Sequence, residues 1–216
     1  MRVLGIDPGT RVTGYGVVGE ESDSGGHRIY LIGAGAIKTS GRLPFPKRLR
    51  QIFDGLTQVI AEFQPDAVAV ENTFLSNNFA AALKLGQACG VALLAAELSG
   101  LEVYDYSPAE IKLAVVGHGG AEKEQVQRMV NYLLGSKGME KDPASGLASA
   151  GSVRLRRSGG HLPALPVRQA GGRQVGGQRP HGPPHRIDGS HHATDALAVG
   201  ICHLHSRTLR EMAEIR

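Results

Sequence analysis

Tryptophan is absent from this chain of 216 residues, and cysteine is nearly so. The two cysteines, Cys89 and Cys202, are far apart and form no C-x-x-C pair, which argues against a disulfide framework and a structural zinc site. No stretch of about 18 residues is apolar throughout, so we expect no membrane span. The first predicted strand begins almost at residue 1 and leaves no room for a signal peptide. These absences predict a cytoplasmic protein with free thiols.

Acidic residues are missing from one part of the chain. Between Pro143 and Ile187 there are seven arginines and no acid. Without those arginines the chain has 17 basic and 20 acidic residues, a net charge of −3, whereas the whole chain carries +4. A nucleic-acid contact elsewhere in the protein must therefore use a local basic face.

The same part of the chain differs in composition from the rest. Residues 142–190 contain no Phe or Tyr, and Gly and Pro make up about a third of them, a level typical of low-complexity sequence. We interpret 142–190 as a disordered Gly/Arg/Pro-rich insertion in a single domain made of 1–141 and 191–216. A second interpretation stays open, because GC-rich DNA translated in a wrong frame has the same composition.

Apolar periodicity predicts an α/β fold. Three strands come in succession, followed by helix, strand, helix, strand and helices. This order predicts a five-stranded mixed sheet, antiparallel on one side and parallel on the other, with helices on both faces. The predicted strands are 3–7, 11–18, 28–38, 66–71 and 101–106, and the predicted helices are 46–63, 77–98, 107–117, 121–135 and 191–215.

Two carboxylates come at the ends of apolar strands. Asp7 ends the first strand and Glu71 ends the strand DAVAVE, so neighbouring strands would bring both to one edge of the sheet. His192 and Asp195, three residues apart at the start of the last helix, project from one side of it. Such a cluster of carboxylates needs a cation, and its ligands suit Mg²⁺ or Mn²⁺.

Each of these residues also has a simpler explanation. Asp7 precedes Pro8-Gly9, which is good turn chemistry. Glu71 could cap a helix, and Asp195 could interact with a helix dipole. His192, beside another histidine, could belong to a solvated helix start. The metal interpretation depends on all four falling at compatible positions.

Four stretches resemble one family of nucleases. They are GIDPGTRVTGYGVV, VENTFLSNNFAAALKLGQACGVA, SPAEIKLAVVGHGGAEKEQVQRMV and HHATDALAVGICHLH. They resemble the RuvC family of Holliday junction resolvases, which implies a ribonuclease H-like fold and metal-dependent nicking of opposed strands of four-way junction DNA. The resemblance implies that Asp7, Glu71, His192 and Asp195 are the catalytic metal ligands.

Further positions carry over from the resemblance. Phe74 matches an aromatic wedge near the junction centre, although core packing would explain it equally. Lys112 and Lys123 match basic residues near the scissile phosphate, although a solvated helix face is the commoner fate of a lysine. Lys123 follows a Gly-rich stretch at a predicted helix start, a place suited to phosphate contact. We therefore expect Lys123 to be both catalytic and DNA-binding, and Lys112 and Phe74 to be DNA-binding.

The resemblance also implies a mechanism and partners. Asp7 would bridge two Mg²⁺ ions, Glu71 and Asp195 would bind one each, and His192 would assist, with Mn²⁺ able to substitute. The products would carry 5′-phosphate and 3′-hydroxyl ends. A homodimer would match the symmetry of the junction, and the RuvAB branch-migration complex is the implied protein partner in recombination and repair.

One departure from the family and three other functions have to be considered. The family has a short connection where this chain has 142–190, whose arginines could add phosphate contacts or could obstruct the DNA. The GIDPGT turn also occurs in nucleotide-binding phosphotransferases of the sugar-kinase and actin superfamily, although we expect this chain to be too short for their two lobes. A non-catalytic junction-binding protein is the second alternative. Another ribonuclease H-like nuclease, acting on a different nucleic acid, is the third, and Phe74 and the two lysines favour the junction enzyme over it.

Overall fold

The computed structural model describes residues 1–23, 26–72, 78–135 and 191–214. The predicted insertion at 142–190 and Phe74 lie outside these residues. The described chain forms five strands, β1 to β5, and five helices, α1 to α5. In chain order they are β1 Arg2–Asp7, β2 Val12–Asp23, β3 Gly26–Lys38, α1 Phe45–Phe63, β4 Ala67–Glu71, α2 Phe79–Glu97, β5 Glu102–Tyr106, α3 Pro108–Val116, α4 Lys123–Leu133 and α5 His191–Glu214.

The strands form one mixed sheet in the order β3-β2-β1-β4-β5. β1 pairs antiparallel with β2 and β2 antiparallel with β3, whereas β4 runs parallel to both β1 and β5. The predicted α/β fold class and the division into antiparallel and parallel sides are confirmed. The parallel connections each contain a helix, since a crossover is needed to bring the chain back to the same end of the sheet.

Alternation along the strands separates two apolar cores. Leu4 and Ile6 of β1 face a core built with α1 and α2, and Val3 faces a second core built with α5 and the residues of α3 and α4. β4 alternates in the same way, because Val68 and Val70 belong to the first core and Ala69 to the second. Helices therefore cover both faces, as predicted.

Helix α5 lies very close to the sheet. A Cβ atom added to Gly5 would be 2.0 Å from the carbonyl oxygen of Ala196, and one added to Gly14 would be 2.0 Å from the carbonyl oxygen of His192. Only glycine fits at these two positions on β1 and β2. The close approach fixes the height of the first turn of α5 above the end of β1.

The ends of α3 and α4 are set by local side chains. Ser107 accepts a hydrogen bond from the backbone N–H of Glu110, and Glu110 accepts one from the backbone N–H of Ser107, which forms a capping box. Gln125 accepts a hydrogen bond from the backbone N–H of Glu122, so α4 begins at Lys123. This start places Lys123 at the edge of the sheet where β1 and β4 end.

Helix α2 exposes an apolar face. Phe79 is 84% exposed, Leu83 58% and Leu94 51%. By length and composition, α2 is one helix in the described part of the chain that could cross a membrane, with 22% of its most apolar window buried. The sequence predicted no such helix, because Lys84 and Gln87 interrupt the apolar run. One such helix is weak evidence for a membrane span, because a core helix of a soluble protein also passes this test.

Candidate active site

Asp7 and Glu71 lie side by side at one edge of the sheet. The pairing of β1 with β4 aligns Ile6 with Val70, and each acid follows one of these residues. Because side chains alternate along a strand, both carboxylates lie on the face opposite to Ile6 and Val70, which is the face that α5 covers. Strand pairing therefore creates half of the predicted cluster.

The first turn of α5 supplies the other half. Nδ1 of His192 lies 2.9 Å from Oδ2 of Asp7, although the two residues are 185 positions apart. One side-chain ligand atom from each of Asp7, His192 and Asp195 lies within 4.8 Å of the other two. Glu71 lies outside this group of three. The structure thus brings together three of the four predicted ligands, with the fourth on the adjacent strand.

Lys123 contacts the cluster directly. Its Nζ donates a hydrogen bond of 2.6 Å to Oδ2 of Asp195, and half of its side chain stays exposed. The pair joins the start of α4 to the start of α5. The lysine therefore provides a positive charge where the carboxylates converge, and its exposed part lies at the protein surface.

The electrostatics of the cluster favour a bound cation. Burial raises the pKa of Asp7. The hydrogen bond with His192 lowers this pKa, and the nearby Asp195 carboxylate raises it further. Burial also raises the pKa of Glu71 to about 7, with further contributions from Asp7 and Asp195. Removing these carboxylates from water without a cation is costly. The oxygen and imidazole donors fit a hard divalent ion, so the residues present suit the predicted metal.

Lys112 lies on α3 near the second carboxylate. Its positive charge counteracts the rise in the pKa of Glu71, and so does that of Lys123. The side chain of Lys112 is half-buried. Two lysines therefore flank the carboxylates on the α3 and α4 side. Phe74, which follows Glu71 by three residues, lies outside the described residues.

A contact between Gln127 and His191 also holds the start of α5, and the sequence did not predict it. Nε2 of Gln127 lies 2.8 Å from Nδ1 of His191. Gln127 follows Lys123 by one helical turn, so the same face of α4 contacts both His191 and Asp195. The i, i+4 spacing of Lys123 and Gln127 shows that they share a helix face. It does not identify their partners, which are more than 60 residues away in the sequence.

A cavity of about 230 Å³ opens beside the carboxylates on the α2 side. Pro8, Glu71 and Asn72 line it from the sheet edge. The opposite wall is formed by α2, with Ala82, Leu85, Gly86, Cys89, Gly90 and Leu93. The edge that carries Asp7 and Glu71 is therefore open between α2 on one side and the α4–α5 pair on the other.

Comparison with known protein families identifies one match. A family model described as "Crossover junction endodeoxyribonuclease RuvC" matches residues 3–151. This range includes Asp7, Glu71, Lys112 and Lys123. It ends before His192 and Asp195.

Curated proteins and solved structures give the same result. "Crossover junction endodeoxyribonuclease RuvC" of Pelobacter propionicus is 46% identical over 97% of this chain and 89% of its own length. The same protein of Trichlorobacter lovleyi is 56% identical over 62% of this chain and 74% of its own. "T. thermophilus RuvC in complex with Holliday junction substrate" is 30% identical with a TM-score of 0.66, over 97% of this chain and 96% of that one.

Proposed function

This chain belongs to the RuvC family of crossover junction endodeoxyribonucleases, and we propose that it resolves four-way DNA junctions at the cluster of Asp7, His192 and Asp195. The observation that carries the proposal is the convergence of these side chains within 4.8 Å, from a strand and a helix far apart in sequence. Family membership argues against the phosphotransferase alternative. A site with the donors for a divalent ion favours an enzyme over a non-catalytic junction-binding protein.

We propose that Mg²⁺ is the ion, with two per site, and that Mn²⁺ can substitute. Asp7, Glu71 and Asp195 would hold the ions, and His192 would assist. When bound, such ions activate the attacking water and stabilise the leaving 3′ oxygen of a phosphodiester. The products would be nicks with 5′-phosphate and 3′-hydroxyl ends.

The protein residues around the ions have separate roles in this proposal. His192, hydrogen-bonded to Asp7, orients that carboxylate. Lys123, half exposed and bonded to Asp195, would contact a DNA phosphate and counter charge at the reacting centre. Lys112 would act as a second phosphate contact beside Glu71, and Phe74 would stack on an unpaired base.

We further propose that the enzyme acts as a homodimer in the cytoplasm. The exposed apolar face of α2 would be covered by the same face of a second copy, since a two-fold axis makes one patch complementary to itself. Two sites related by that axis would nick two strands of like polarity. The domain would comprise 1–141 and 191–216, with 142–190 as an insertion, and RuvAB would be the protein partner.

Cleavage of a synthetic four-way junction tests the proposal. An end-labelled junction with a mobile core is incubated with the protein in Mg²⁺ and in Mn²⁺, alongside the Asp7→Asn variant. Paired, symmetric and ligatable nicks that Asp7→Asn does not make are the expected result. Junction binding without cleavage would support the non-catalytic alternative. No junction binding, with ATP binding detected by calorimetry, would support a phosphotransferase.

A further inference from the structure

Five basic side chains surround the start of α1, apart from the candidate active site. We call this group the α1 cationic surface, and it consists of Arg11, Arg42, Lys47, Arg48 and Lys84. All except Arg48 are exposed. They come from four parts of the fold: the β1–β2 connection, the β3–α1 connection, α1 and α2.

Contacts around Phe45 hold two members together. The guanidinium carbon of Arg48 lies 5.5 Å from the centre of the Phe45 ring, and Nζ of Lys84 lies 6.0 Å from the same point. Arg48 also donates hydrogen bonds to the carbonyl oxygen of Thr10 and, at 3.2 Å, to Oγ1 of Thr39. The two loops and the two helices are therefore joined at one place.

The other members lie next to this centre. A Cβ atom on Gly41 would be 3.9 Å from the guanidinium of Arg11, so the loop that carries Arg42 lies against Arg11. The backbone N–H of Thr39 donates to the carbonyl oxygen of Arg11 at 2.9 Å. Lys47 directly precedes Arg48 in the first turn of α1.

Three members of this surface have no acidic partner in the described part of the chain. Residues 38–53 contain no acid, and Arg42, Lys47 and Lys84 form no ion pair among the described residues. The first turn of α1 has no acid, and its N-cap, Pro44, makes no side-chain hydrogen bond. Cations at a helix N-terminus are unfavourable, because that end of the helix is itself positive. Such an arrangement is relieved when an anion binds.

The position of the surface points to the kind of anion. Arg11 lies four residues beyond Asp7, at the same edge of the sheet. Lys84 lies on α2 between Ala82 and Leu85, which line the cavity at Glu71. A DNA strand with its scissile bond at the active site would carry its neighbouring phosphates past this surface. The surface exposes several separate cations rather than one pocket, which suits a row of phosphates.

We propose that the α1 cationic surface binds the sugar–phosphate backbone of one duplex arm of the junction, away from the cleaved bond. The inference rests on the proposed function and adds a second contact region, on the α1–α2 side, to the one at Lys112 and Lys123. Contacts of this type position the DNA and carry no base specificity. Their signature is a salt dependence, since each neutralised phosphate contributes about 0.9 to the slope of log K against log[salt].

Junction binding is measured as a function of salt in the Asp7→Asn background, where no cleavage interferes. The test variant adds Lys47→Ala and Lys84→Ala, and the matched control adds Arg28→Ala and Arg128→Ala. Arg28 is exposed at the far end of the sheet, and Arg128 is exposed on α4 beside Tyr132. Both double variants lose two positive charges, so general electrostatics affect them equally.

The test variant is expected to lower the slope by about 2, because two phosphate contacts are lost. The parent would then lose roughly 12-fold more affinity than the test variant between 50 and 200 mM salt. The control variant is expected to keep the parental slope, and Lys47→Arg with Lys84→Arg to restore it. A parent that binds junctions and a test variant with an unchanged slope would overturn the inference alone. A parent that binds no junction would overturn the proposed function and this inference with it.

Discussion

Nζ of Lys123 lies 2.6 Å from Oδ2 of Asp195, closer to this carboxylate than an ordinary surface ion pair requires. The lysine expected to contact DNA is thus bonded to a carboxylate expected to bind metal. A divalent ion bound by Asp195 would therefore compete with Lys123 for this oxygen. Binding of metal would free the ammonium group to approach a phosphate.

Replacement of Lys123 by Met is expected to tighten metal binding and slow cleavage. Removal of a positive charge that both occupies a ligand oxygen and repels the ion should raise Mn²⁺ affinity by about fivefold or more. The loss of a phosphate contact should lower the single-turnover rate. Calorimetric titration with Mn²⁺ and junction cleavage measure the two effects, with Arg28→Met as the control. Weaker Mn²⁺ binding by Lys123→Met would contradict the competition.

Glu71 makes the stability of the metal-free protein depend on pH. Its pKa is raised by burial to about 7, from an ordinary value of 4.5. Between these values the folded protein keeps a proton that the unfolded chain has released, so stability falls as the pH rises through this window and stays lower above it. Glu71→Gln removes the buried charge and should stabilise the protein at pH 8 by about 1–3 kcal/mol.

Urea unfolding in EDTA at pH 8 and at pH 4 measures this effect. At pH 4 the wild-type carboxyl is protonated in both states, and the two proteins should have nearly equal stability. Glu62→Gln, an exposed change on α1, is the control and should change little at either pH. An equal gain at both pH values would show that the buried charge is not the cause.

Gly14 is expected to tolerate no side chain. A Cβ atom there would be 2.0 Å from the carbonyl oxygen of His192, so Gly14→Ala must push the start of α5 away from the sheet. We expect a loss of about 3 kcal/mol in the free energy of unfolding, together with weaker metal binding. Gly41→Ala, where the nearest atom is at 3.9 Å, should stay within about 0.5 kcal/mol of wild type. Similar stabilities of the two variants would contradict the close packing.

A charge on the exposed face of α2 should separate the proposed dimer. Leu94→Glu places a carboxylate where two apolar faces would meet, and an unpaired buried charge is costly. Sedimentation equilibrium is expected to give a dimer for wild type and a monomer for Leu94→Glu. Leu113→Glu, at a leucine of similar exposure on α3, should leave the dimer intact. A monomeric wild-type protein would refute the role given to α2.

The sequence predicts the parts of the site that depend on strand ends. The apolar runs before Asp7 and Glu71 locate both ends, and the parallel pairing of β1 with β4 then follows from the helix between them. The spacing of His192 and Asp195 predicts a shared helix face. These features are local, so periodicity is enough to find them.

Contacts between distant elements could not be predicted in the same way. The bonds from Lys123 to Asp195 and from Gln127 to His191 depend on how α4 packs beside α5, which no local pattern describes. The composition of α2 allowed either burial or a subunit interface, and only packing reveals that Phe79 and Leu83 remain exposed.

The bond between His192 and Asp7 also has a consequence for biosynthesis. The ribosome makes the sheet edge with Asp7 and Glu71 well before α5, and at about 5–20 residues per second the wait between Glu71 and Asp195 is about 6–25 s. During that time the nascent chain holds only half of the ligands and lacks the helix that covers one face of its sheet. On the proposed mechanism, the growing polypeptide would be unable to cut DNA until its last helix has been made.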